Sequence, residues 1–200
     1  MSKGEKMNKK KPELVDVKSL CEDKYLSLYQ GHYKIEGGEI SWDFSSRKKI
    51  DNVEIKEKSK NADGVRVVPY AVKDGQIILY LIRQFRYPIN DYIIEFPAGM
   101  VDGDEDEEET ARREVKEEIG ADVLSMKPLF KNLYSSPGLT DEKITYFEAE
   151  VDVDDVQHLE PAEHIEILPC TLAEAEKILE SGQNFGDTAM LLKIFLLSHK

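Results

Sequence analysis

Three glutamates define the chemistry open to this chain. They stand at 114, 117 and 118, inside the stretch GMVDGDEDEEETARREVKEEIGA that runs from 99 to 121. Ala111, Val115 and Ile119 recur every four residues and predict a helix over 107–119 with one apolar stripe turned to a core. At about 100° per residue, Glu114, Glu117 and Glu118 fall on one arc beside that stripe. Carboxylates so crowded do not all ionise without compensation. Arg113 neutralises one of them. A hard divalent cation neutralises more, and oxygen ligands on a rigid helix suit Mg2+ or Mn2+. Composition alone offers a plainer account, a solvated face of glutamate and lysine. What sets the stretch apart is spacing: Gly99, Glu105, Arg113-Glu114, Glu117-Glu118 and Gly120.

The elements that must position these residues are mostly strands. Alternating apolar residues over 25–35 and 39–46, either side of Gly37-Gly38, predict a hairpin. A charged stretch follows over 47–60, where Val53 and Ile55 alternate as in an exposed strand. Strong β runs occupy 64–72 and 76–83, joined by Lys73-Asp74-Gly75, whose Asp-Gly fits a tight turn. A short strand at 92–96 ends at Pro97, and seven of the eight residues over 102–109 are acidic. Asp102, Asp104, Asp106, Glu107, Glu108 and Glu109 read as surface and helix-dipole residues. Further strands are predicted over 123–134, 143–151 and 164–168, then helices over 172–180 and 187–198. Together they predict an α+β fold, a mixed β-sheet sandwich flanked by helices, with an N-terminal antiparallel hairpin extension.

Composition bounds the partners. A net charge of −13 argues against a nucleic-acid backbone, which selects basic surfaces. It leaves a small anionic substrate open, because a bound cation inverts the local charge. Hydrophobic content of 40% suffices for a core. Two cysteines, Cys21 and Cys170, make no disulfide framework and fit a reducing cytoplasm. Lys9, Lys10 and Lys11 lack an adjoining apolar region and read as a frayed terminus, and no apolar run is long enough for a membrane span. The expected organisation is a flexible basic N-terminus over 1–19, a β extension over 20–60 and a main domain over 61–200.

The spaced residues of the acidic stretch resemble the Nudix hydrolase signature. That signature has Gly, five residues, Glu, seven residues, Arg-Glu, an aliphatic, one residue, Glu-Glu, one residue, Gly and an aliphatic. Gly99, Glu105, Arg113, Glu114, Val115, Glu117, Glu118 and Gly120 meet it at every gap, and only Ala121 departs, by being small. The resemblance implies a Nudix fold in which Glu114, Glu117, Glu118 and the carbonyl of Ala98 ligate Mg2+ or Mn2+. It implies that Arg113 and Glu105 hold the helix and loop, while Gly99 and Gly120 permit the turns. The metals would bridge diphosphate oxygens and activate a water for in-line attack.

Beyond the signature the chain resembles the ADP-ribose pyrophosphatase group. Arg83-Gln84-Phe85-Arg86 ahead of Glu95-Phe96-Pro97-Ala98-Gly99 carries the likeness, as does Pro137-Gly138, with the proline sixteen residues past the signature. So do Glu163-His164-Ile165-Glu166 and Trp42-Asp43 with Arg47. The implied reaction is hydrolysis of ADP-ribose to AMP and ribose 5-phosphate, with GDP-mannose or a UDP-sugar as alternative substrates. Trp42, Asp43, Arg47, Arg86, Glu95, Pro137 and Gly138 become substrate contacts, with Arg113, Glu117 and Glu163 in catalysis. Glu160, Glu166 and Glu142 rival Glu163 as the late base. Trp42 suits core or dimer packing as well as base stacking, and Arg47 and Arg86 suit surface ion pairs as well as phosphate. His164 stands where the group has an aromatic, and Ile119-Gly120-Ala121 departs from the aromatic or threonine common near the end of the signature; both leave substrate preference open. The group's N-terminal hairpin packs on a second subunit, which implies a homodimer. A non-catalytic nucleotide sensor is the contrasting reading. Against it, every glutamate of the signature is present and no helix-turn-helix is appended.

Overall fold

Short runs of β-branched and aromatic residues, each broken by a glycine or a charge cluster, build the first sheet. The computed structural model describes residues 10–154, 156–181 and 186–199. Strands β1 (Glu13–Cys21), β2 (Ser27–Ile35) and β3 (Gly38–Ser46) form an antiparallel sheet in that order. With Met1–Lys60 and Tyr134–Glu142 they make up the smaller of two compact units; Asn61–Leu133 and Lys143–Lys200 form the larger.

Two features of the smaller unit differ from expectation. Strand β1 lies where a flexible N-terminus was expected: Val17 is buried and Leu14 packs partly against the same cluster, while Val15, Asp16 and Lys18 face solvent. Lys10 and Lys11 precede it, and Lys9 lies outside the described residues. The segment 47–60 is not a strand. It is a series of turns, with Lys56 N and Glu57 N both donating to the Val53 carbonyl. Val53 is fully buried against Val17, Tyr29 and Phe44. Its neighbour Glu54 is buried as well, accepting from Ser59 N and the Tyr134 hydroxyl and pairing with Lys48 and Lys58. An apolar residue beside a buried, multiply bonded glutamate mimics strand alternation in sequence.

The larger unit has a mixed sheet. Its strands are β4 (Gly64–Lys73), β5 (Gln76–Arg86), β6 (Asp91–Glu95), β7 (Ala98–Met100), β8 (Ala121–Tyr134), β9 (Lys143–Val153) and β10 (Ile165–Thr171). The main path runs β10-β5-β4-β9-β8, with β6 on β5 and β7 on β4. β4 and β9 pair in parallel; β4–β5, β5–β6, β4–β7 and β10–β5 pair antiparallel. The β4–β5 turn has φ of 52° at Asp74 and 75° at Gly75, the two positive values that a tight Asp-Gly hairpin requires.

Alternation along β4 and β5 sorts the core into two layers. Val65, Val67, Tyr80 and Ile82 pack with Ala111, Val115 and Ile119 of α1 (Glu107–Ile119). Val68, Leu79 and Leu81 pack with Ala175 of α2 (Leu172–Glu180) and Leu191, Leu192, Phe195 and Leu196 of α3 (Thr188–Ser198). One sheet thus holds α1 on one face and α2 and α3 on the other. No helix among the described residues is long and apolar enough to cross a membrane.

Cys170 belongs to the second layer, where burial pushes its thiol up to about 11 from an ordinary 9, with Glu174 adding to the rise. Cys21 is exposed. A thiol reagent at pH 8 should therefore modify one cysteine per native chain and two in denaturant; two fast native reactions would contradict this packing. Since the unfolded thiol ionises first, Cys170 makes stability fall as pH rises through about 9 to 11. A Cys170→Ala variant should show a shallower fall.

Candidate active site

Helix α1 carries the reactive carboxylates, and its ends are fixed by the residues around it. Asp106 is the N-cap: its side chain accepts from Glu108 N and Glu109 N, while the Glu109 side chain accepts from Asp106 N. Glu107 accepts from Ala62 N at 2.8 Å. Glu107, Glu108 and Glu109 lie in the first turn, where helix-dipole charges are expected, and Asp106, Glu107 and Glu109 also make specific bonds. At the other end Gly120 takes a φ of 64°, a left-handed C-cap, and its N–H donates to the Lys116 carbonyl.

Arg113 gathers the acidic groups. Its Nε donates to Glu105 Oε1 at 3.0 Å, Nη1 to Glu114 Oε1 at 2.7 Å and to Glu117 Oε2 at 3.0 Å, and Nη2 to the Met100 carbonyl at 3.2 Å. Partial burial opposes the charge on Arg113, but Glu105, Glu114 and Glu117 outweigh it and raise its pKa. Glu105 is in turn held below the usual carboxylate range by Arg113 and by the Thr110 hydroxyl.

Glu114 and Glu118 are buried. Burial pushes Glu114 up to about 7 against the lowering effect of Arg113, with Glu117 and Glu163 adding to the rise. Burial also pushes Glu118 well above the ordinary range, helped by the charges of Glu114 and Glu163 and opposed by a bond from Ala98 N at 3.1 Å. The Glu114 carboxylate lies directly over Gly99, where any Cβ would collide with it. Any side chain at 99 would therefore displace that carboxylate.

The donor set fits a hard divalent cation. Two desolvated carboxylates with raised pKa values, a third beside them and one guanidinium to balance all three leave negative charge uncompensated. Among the described residues no three side chains converge into a ready-made cage, because Arg113 stands between Glu114 and Glu117. The residues that would hold a cation are Glu114, Glu117, Glu118 and the Ala98 carbonyl.

The loop carrying Glu163 is tied to the C-terminal end of α1. Gln157 Nε2 donates to the Glu118 carbonyl at 2.6 Å and His158 N to the Glu117 carbonyl at 2.8 Å. Farther along, Glu163 accepts from Glu160 N, and Phe85 N donates to the His164 carbonyl. Glu163 acts electrostatically on Glu114 and Glu118, whereas Glu166 pairs with Arg83 at the surface.

Arg86 and Glu95 meet beside this group: Arg86 Nε donates to Glu95 Oε2 at 2.5 Å. Glu95 is buried, and its other oxygen accepts from Arg66 Nη2 at 3.3 Å. Arg66 was not among the residues expected from sequence, although a lone arginine in the apolar run GVRVVPYAV is a signal, since arginine is seldom buried unpaired. Burial lowers its pKa, with Glu95 the leading opposing charge.

The remaining expected contacts lie in the smaller unit. Trp42 is exposed and its indole N–H donates to the Gly138 carbonyl at 3.2 Å. Arg47 pairs with Glu142 at 3.1 Å, and Asp43 accepts from Gln30. Ser45 N donates to the Leu139 carbonyl, so the segment with Pro137 and Gly138 runs along β3.

The NUDIX domain model matches residues 60–188. The chain belongs to the Nudix family. This Nudix hydrolase is 30% identical to the ADP-ribose pyrophosphatase of Saccharomyces cerevisiae over 183 residues, covering 88% of this chain and 75% of that protein. It is 32% identical to the GDP-mannose pyrophosphatase of Escherichia coli over 156 residues, covering 72% and 78%. A crystal structure titled as an ADP compounds hydrolase superposes with a TM-score of 0.72 at 19% identity, covering 96% of this chain and 95% of that one. It shares the Nudix fold.

The burial of Glu118 has a testable consequence. In chelator at pH 8, Glu118→Gln should melt above the parent, by about 2 °C or more, because it removes a desolvated charge while keeping an acceptor for Ala98 N. A lower melting temperature would mean that the ionised carboxylate is already compensated.

Proposed function

We propose that this Nudix hydrolase cleaves the diphosphate of a nucleoside diphosphate sugar, with ADP-ribose the preferred substrate and AMP and ribose 5-phosphate the products. The observation that carries the reading is the buried carboxylate pair Glu114 and Glu118 beside Glu117, balanced only in part by Arg113. Glu114, Glu117, Glu118 and the Ala98 carbonyl would hold Mg2+ or Mn2+, which would supply compensation of the diphosphate charge and activation of a water. The protein's own groups supply the rest. Arg113 and Glu105 keep the carboxylates on one side of α1. Arg86 offers its guanidinium to the diphosphate, a fork matched to phosphate oxygens. Glu163 accepts the water proton, and its influence on Glu114 and Glu118 supports it over Glu166.

The preference for ADP-ribose rests on the relative of that name, which matches 88% of the chain; the GDP-mannose relative at similar identity supports the second reading. Trp42, Asp43, Arg47, Pro137 and Gly138 are proposed substrate contacts, and the protein is proposed to act as a cytoplasmic homodimer. Exposed Tyr25, Leu26 and Trp42 in the smaller unit support association; a monomer by light scattering would contradict it.

The test is product release from ADP-ribose, GDP-mannose, UDP-glucose and 8-oxo-dGTP, with Mg2+ and with chelator. Metal-dependent release of AMP from ADP-ribose is expected, with Glu117→Gln losing about 100-fold or more in turnover while keeping its fold. Preferential turnover of another compound overturns the substrate, and near-parent activity in Glu117→Gln overturns the site.

A further inference from the structure

Arg66 sits at the centre of a chain of charges that the hydrolytic reading leaves unexplained. It lies on β4 opposite Ala98, whose N–H holds Glu118. Its Nη2 binds Glu95, and its Nη1 pairs with Asp187 and reaches the Thr188 hydroxyl at 3.5 Å. Its Nε is buried without a partner. Asp187 stands at the N-cap position of α3 but makes no side-chain cap bond. Its carboxylate instead faces Arg66 with one oxygen and accepts from the Tyr146 hydroxyl, at 2.9 Å, with the other. Thr188 in turn accepts from Phe96 N. The start of α3 is thus committed to holding one guanidinium rather than to capping its own helix.

Charge explains why. Asp187 balances Arg66, which leaves Glu95 to balance Arg86. With one Glu95 oxygen occupied by Arg66, the other takes Arg86 through Nε alone. Among the described residues the two terminal nitrogens of Arg86 have no hydrogen-bond partner, and its charge acts on Glu118 in the signature helix. Were Arg66 absent, both oxygens of Glu95 would be available to Arg86, and the favoured bidentate pairing would use up the fork.

We propose that Arg66 is a positioning residue: anchored by Asp187 and Thr188, it holds Glu95 in a one-point grip on Arg86, so that the Arg86 fork stays free for the diphosphate. The inference rests on the reading of Arg86 as a diphosphate contact. It does not depend on which sugar is cleaved.

The experiment is a double-mutant cycle on the full chain, read by calorimetric affinity for inorganic pyrophosphate in Mg2+ buffer. Arg66→Met and Arg86→Met should each weaken binding about tenfold, and the double variant no more than the weaker single, because both remove the same contact. For whichever substrate the parent turns over, Arg66→Met should raise KM more than it lowers kcat, and Arg66→Lys should recover part of the loss. Should Arg66→Met not fold, Arg66→Lys replaces it in the cycle, with a smaller effect that again vanishes in the Arg86→Met background. Additive losses overturn the relay, as does a parent that does not bind pyrophosphate. Failure of the substrate reading would appear separately, as tight pyrophosphate binding without ADP-ribose hydrolysis.

Discussion

The geometry of the signature helix depends on the guanidinium of Arg113, which holds Glu105, Glu114, Glu117 and the Met100 carbonyl at once. Carboxylates of like charge on adjacent turns repel, and two of those on α1 are also cut off from water. Arg113 lets them coexist without quenching the group. Gly99 then admits Glu114 against the backbone, and Ala98 N fixes Glu118. The apolar stripe of Ala111, Val115 and Ile119 sets the height of all of these on the sheet. Helix packing, glycine placement and charge compensation therefore belong to one constraint: a surplus of negative charge kept in a partly desolvated place.

The surrounding elements serve that constraint from several directions. Gln157 and His158 bind the carbonyls at the end of α1 and so carry the Glu163 loop to the carboxylates. β4 brings Arg66 and β5 brings Arg86 to a shared Glu95. The Arg86 guanidinium therefore adjoins the acidic helix, and its charge acts on Glu118. An acidic protein with a net charge of −13 can in this way bind an anion, since the local balance differs from the global one.

How much of this was legible in sequence depended on how local each cause was. The helix over 107–119 and the Asp-Gly turn follow from period and turn chemistry within a few residues, and both stand where expected. The signature residues were recognisable because their spacing reflects one helix and its two turns. Val53 misled because an apolar residue among charges has the same pattern in a strand as in a packed turn; its burial is decided by Tyr29 and Phe44, remote in sequence. Strand β1 is hard to read because Glu13, Asp16 and Lys18 face solvent and Val17 alone is buried. The role of Arg66 is not legible in sequence because its partners Glu95, Asp187 and Thr188 lie 29 or more residues away, and no short motif links them.

Glu114 and Glu118, buried beside a single compensating guanidinium, are proposed to be completed by a divalent cation. Electron paramagnetic resonance of Mn2+ titrated into the metal-free protein tests it most directly, since bound and free ion give distinct signals. Saturable binding by the parent is expected, weakened about tenfold or more in Glu114→Gln and Glu118→Gln. Unchanged Mn2+ affinity in both variants, or no binding by the parent, would contradict it.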